Sequence, residues 1–65
     1  MMNLKGITLD ACVQELVTKR HGSFAHRLAM LWMVADSGNR AQIERSWPHV
    51  FEKAAYFVST ERSEA

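Results

Sequence analysis

Between Ser23 and Asp36 the chain reads Phe24-Ala25-His26-Arg27-Leu28-Ala29-Met30-Leu31-Trp32-Met33-Val34-Ala35, and on a helical repeat this puts apolar groups on almost every side. Phe24, Ala25, Leu28, Ala29, Leu31, Trp32, Val34 and Ala35 cover two faces, while Met30 and Met33 take much of the remainder. Such a helix is expected to be central in its domain or self-associating. The rest of the chain offers few neighbours, because 65 residues make one small domain that hides only about 60% of its unfolded surface. Met30, Trp32 and Met33 are therefore expected to provide outward apolar surface, and self-association, as a dimer, is expected to bury part of it.

The flanking segments also read as helices. Leu9, Cys12, Val13, Leu16 and Val17 follow the 3-4-3-4 spacing of one apolar stripe, with Thr8 placed to cap it. Lys19, Arg20 and His21 suit the carbonyl end of that helix, and Gly22 suits the left-handed stop. Ser23 is expected to cap the second helix and Asp36-Ser37-Gly38 to break it. Asn39 and Gln42 have the form of a capping box, so a third helix is expected from Arg40, ending before Pro48. Pro48 fits the first position of a fourth, whose stripe is Val50, Phe51, Ala54, Phe57 and Val58, anchored by Trp47 and Phe51. The predicted helices are 9–21, 24–36, 40–46 and 48–58, forming an all-α, compact three-to-four-helix mini-bundle. Residues 1–59 would be its single domain, and 60–65, with no apolar group large enough to dock, a frayed tail.

Charge and cysteine content exclude several classes. Eight Lys and Arg against seven Asp and Glu leave a net charge of +1, so composition alone selects no polyanionic partner. A lone cysteine closes no internal disulfide, which favours a reducing compartment. No apolar run approaches the roughly 20 residues of a membrane span, and the start lacks the features of a signal peptide, so a cytoplasmic chain without membrane contact is expected.

Catalytic candidates are sparse. Cys12 with His26 or His49 would supply a thiolate and a base, but Cys12 falls inside an apolar stripe, where a buried thiol is ordinary. Cys12, His21, His26, His49, Asp36 and Glu44 are possible metal ligands by type, yet none has paired ligand spacing. Glycine-rich phosphate cradles are absent. The expectation is no enzyme, no metal and no cofactor.

Two polar groupings suggest partners. Lys19, Arg20, His21, His26 and Arg27 surround the first interhelical turn without one acid, so Lys19, Arg20 and Arg27 with Met30, Trp32 and Met33 form the expected partner-binding set: an apolar patch with a basic rim. The alternative is a helix-turn-helix in which the third helix offers Arg40, Gln42 and Arg45 to DNA. Its shortness before Pro48, the intervening Glu44 and the small net charge weigh against it.

Ala35-Asp36-Ser37-Gly38-Asn39-Arg40, followed by Ile43, Trp47-Pro48, Phe51 and Tyr56, resembles a pattern in small phage and prophage accessory proteins. Those proteins carry Ala-Asp, Asn-Arg, an aliphatic residue, then Phe-Pro and further aromatics, so Trp47 here stands where Phe is commoner. The likeness spans about a third of the chain. It implies a short helical product in the bacterial host cell that binds and inhibits or redirects a host protein, a CRISPR effector being one candidate target. It carries over no functional residue, and folding roles alone account for the same positions.

Overall fold

The computed structural model describes residues 2–63, which form four helices: α1 Leu9–Leu16, α2 Ser23–Val34, α3 Ser37–Ser46 and α4 Pro48–Ser63. The mini-bundle is all-α, with no strand among the described residues. α1 packs chiefly on α4 and secondly on α2, while α3 touches α4 and α2 more lightly. The shortest dimension is 15 Å, room for about two layers of helix at the usual 8–10 Å separation. In two layers, no helix is covered on both sides.

The core joins Cys12, Val13 and Leu16 of α1 to Ala25, Leu28, Ala29 and Trp32 of α2, Ile43 of α3, and Val50, Phe51, Ala54 and Ala55 of α4, with Ile7 at the edge. Ala29, Ala54 and Ala55 are fully buried, and such small side chains let helices approach closely. Residues before α1 contribute too. Met2 and Leu4 pack on the core, and the Asn3 amide donates to Glu52 Oε2 at 2.9 Å, tying the leading segment to α4.

Two expected starts hold. Thr8 Oγ1 accepts from the Ala11 amide at 3.1 Å, a cap that contributes about 1 kcal/mol, and Pro48 opens α4.

The other boundaries differ from expectation. α1 ends at Leu16 rather than at 21, because Thr18 turns its hydroxyl onto the Glu15 carbonyl at 2.7 Å and Lys19 itself adopts a left-handed φ of 72°. Gly22 does have positive φ, at 96°, but as the N-cap of α2, where no side chain caps; Ser23 is already helical. Asp36, not Asn39, caps α3, accepting from the Asn39 amide at 2.9 Å, so the helix starts at Ser37 and has ten residues. Gln42 does not reach back: its amide faces Ser46 and its carbonyl accepts from Arg45. α4 continues beyond the predicted 58 to Ser63, through part of the segment assigned to a tail, and 64–65 lie outside the described residues.

Candidate interaction face

α1 has only eight residues and covers α2 from one side. Accordingly Ala25, Leu28, Ala29 and Trp32 are buried, one contiguous stripe, and the opposite half of α2 faces solvent. The exposed surface of α2 is not polar: Phe24 is 58% exposed, Leu31 52%, Met30 50%, Met33 45% and Val34 82%. Trp47, between α3 and α4, meets Phe24 edge-on with ring centroids 5.9 Å apart and extends the apolar surface past the start of α2. Scattered exposed apolar groups are normal on any protein, but five large ones on a single twelve-residue helix form a patch.

Met30 and Met33 thus lie where expected, and Trp32 does not. It is 6% exposed, with its indole Nε1 donating to Glu44 Oε2 at 2.9 Å and the Arg40 guanidinium stacked 4.0 Å from its ring centroid. The indole has both a ring to bury and a donor to satisfy, and this pocket of α2 and α3 meets both needs. Leu31, Val34 and Phe24 replace it on the outer face. On the helical repeat Val34 stands across α2 from the Leu28–Trp32 stripe and Leu31 at its margin, whereas Phe24, four residues before Leu28, shares the stripe's own ridge and is exposed only because it sits in the first turn.

The basic cluster divides. Lys19 and Arg27, with Ser23, His26 and Met30, line an open hollow of about 390 Å³ beside the outer face of α2. Arg20 points the other way, 3.7 Å from Glu15 and 3.8 Å from Glu61, with its guanidinium 5.4 Å from the Phe57 ring. His21 follows it, its Nε2 2.9 Å from Glu15 Oε2 and its ring edge-on to Phe57. The chain reverses at Lys19, so neighbours in sequence end on different sides. On the far side of Phe24, His49 and Lys53 of α4 line a second hollow of about 160 Å³. Lys19, Arg27 and Lys53 enter no ion pair among the described residues.

The residues offered to DNA are arranged differently from what a reading helix requires. Arg40 Nε donates to the Trp32 carbonyl at 2.9 Å and an Nη to the Met33 carbonyl at 3.1 Å, so this side chain closes the C-terminus of α2. α2 has no cation in its own last turn, and Arg40 of α3 supplies one there. Gln42 and Arg45 are exposed and bonded to each other. The triad therefore presents two members outward and turns the third inward.

No three His, Cys, Asp or Glu side chains converge among the described residues. Cys12 is fully buried, and that burial pushes its thiol above the ordinary range, keeping it protonated and a poor nucleophile at neutral pH. His26 directs Nδ1 to the Val17 carbonyl at 3.0 Å, and His49 is exposed beside Lys53. We expect an aromatic disulfide reagent to modify Cys12 about 100-fold more slowly in native buffer than in denaturing urea, since access requires opening the core of a marginally stable domain. Equal rates would place the thiol at the surface.

Among the described residues no helix is long and apolar enough to cross a membrane. No protein-family model, no curated protein and no solved structure matches this chain.

Proposed function

We propose that this protein acts without catalysis, as a small helical binding module that covers a surface of a larger protein with the outer face of α2. The observation that carries this reading is the exposure of Phe24, Met30, Leu31, Met33 and Val34 together on one helix, bordered by Lys19 and Arg27. A domain this small gains little by leaving such surface wet, and large apolar groups with a cationic rim are common binding anchors. The likeness to phage accessory proteins directs the choice of target to a bacterial host protein, with a defence component such as a CRISPR effector as the candidate, and occlusion as the mode of action. A second copy is the competing occupant. Face-to-face pairing of two such surfaces brings their unpaired cations together, and that disfavours it.

The test is capture of proteins from a nuclease-treated bacterial lysate on the tagged chain, with Val34→Glu as control. Val34 is 82% exposed, so the variant should melt as the parent does. Recovery of one defined protein, lowered about tenfold or more by Val34→Glu, is expected when a charge is set among the apolar anchors of an interface. Equal recovery by both chains, or recovery of nucleic acid alone, would refute the reading.

A further inference from the structure

We infer that the occupant of the α2 face is an acidic amphipathic helix, an inference that rests on the binding role proposed above and specifies its partner. Three observations meet on this face. The first is register. Phe24, Leu31 and Val34 stand at i, i+7 and i+10, the spacing at which one helix presents a seam to another, with Met30 alongside and Arg27, at i+3, bringing a cation to the seam's edge. From Phe24 to Val34 the seam runs about 15 Å, at 1.5 Å per residue, which matches about three turns of a partner helix.

The second is the distribution of charge. α2 contains no acid, and the cations beside its outer face lie on both flanks of Phe24: Lys19 and Arg27 on one, Lys53 on the other. These three enter no ion pair among the described residues, and five of the acids hold partners elsewhere. Glu15 takes His21 and Arg20, Glu44 takes Trp32, Glu52 takes Asn3, Glu61 takes Arg20, and Asp36 caps α3. A nearly neutral chain thereby concentrates uncompensated positive charge around one apolar seam. An incoming helix with apolar residues on one side and Glu or Asp flanking them would bury the seam and pair both flanks.

The third is the seam's chemistry. Leu31, Val34 and Met30 are aliphatic or thioether groups that gain from burial against similar side chains and offer phosphate nothing. That separates a helix from a nucleic acid as the ligand of the same cations. A second copy of this chain would present α2 again, with its cations and without the acids.

The experiment uses the full chain and two fluorescent synthetic helices of about 21 residues, three heptads, sharing a Leu/Ile seam. One carries Glu at the flanking positions and the other Lys. Anisotropy titration should show the Glu helix binding about tenfold or more tighter than the Lys helix, the scale of a few rim ion pairs, with the gap shrinking as salt rises. Leu31→Glu should abolish binding. The double variant Lys19→Glu with Arg27→Glu, which touches no core residue, should reverse the preference. Equal binding of both helices, binding of neither, or tight binding unaffected by Leu31→Glu would overturn the inference. So would displacement of the Glu helix by a duplex oligonucleotide, or a light-scattering dimer that Val34→Glu dissolves. If both helices are ignored while Val34→Glu still removes a captured protein from the lysate, only the acidic-helix assignment fails and the binding role stands.

Discussion

Replacing Phe51 with alanine is expected to leave the chain without a cooperative urea transition at room temperature. Phe51 is fully buried on α4 and is the largest side chain wholly enclosed in the core. Many of the other core side chains are small, among them Cys12, Ala25, Ala29, Ala54 and Ala55, and a close-packed core relaxes only partly into the space a missing ring would leave. Removing a buried Phe side chain costs about 3–5 kcal/mol by lost transfer and cavity formation together. A core of this size supplies about 3–5 kcal/mol in all, and the single cysteine provides no disulfide to add to it. The two quantities are equal within their spread, so the folded population should fall to a minority. Phe51→Leu, which keeps most of the volume, should cost about 1.5 kcal/mol and shift the midpoint while retaining the transition. Far-UV circular dichroism against urea checks both. A Phe51→Ala chain that unfolds at the parent's midpoint would mean that Phe51 is not the keystone of this core.

The helical class and the interior stripes were legible because they depend on periodicity, which is local. Cys12, Val13 and Leu16, and likewise Phe51 and Ala54, sit inward as their spacing requires. Thr8 and Pro48 were legible for the same reason, since a cap and a first-turn proline act within four residues. The misplaced boundaries arose where two local devices compete. Asp36 and Asn39 are both good caps, and the aspartate, being earlier and charged, wins α3 and frees Asn39 for its first turn. Lys19 adopts the left-handed conformation ahead of Gly22, which the sequence pattern favours for that role, because Glu15 draws Arg20 and His21 back over the end of α1.

The candidate face was legible only in part. Some of Met30, Trp32 and Met33 had to be outward for lack of neighbours, and the two methionines are. In a helix apolar nearly all round, however, periodicity does not choose which stripe turns in. The choice rests on Glu44, twelve residues beyond Trp32, which offers the indole an acceptor, and on α1 being too short to cover more than one side. Both are tertiary facts. The same dependence split Arg20 from Lys19 and Arg27, and withdrew Arg40 from the polar surface to which its neighbours Gln42 and Arg45 belong.

Arg40 should behave as a structural residue: Arg40→Ala is expected to destabilise the fold by about 2–3 kcal/mol. Its guanidinium makes two charge-assisted bonds, to the Trp32 and Met33 carbonyls, at a helix end that has no cation of its own. One such bond is worth about 1.5–3 kcal/mol when partly buried, and stacking over Trp32 at 4.0 Å adds about 0.5–1 kcal/mol. Relaxation and water reaching the freed carbonyls offset part of that sum. Arg40→Lys should recover under half of the loss, because an ammonium has neither the planar fork nor the flat face that stacks on indole. A matched pair of variants isolates the neighbouring bond. Glu44→Gln keeps an acceptor for Trp32 Nε1 and should cost well under 1 kcal/mol, whereas Glu44→Ala, which strands a part-buried donor, should cost about 1–3 kcal/mol. Urea midpoints measure all four. If Arg40→Ala instead leaves the midpoint untouched and weakens the chain's retention on a duplex column, then Arg40 serves a nucleic acid, and the helix-turn-helix reading displaces the one argued from α2.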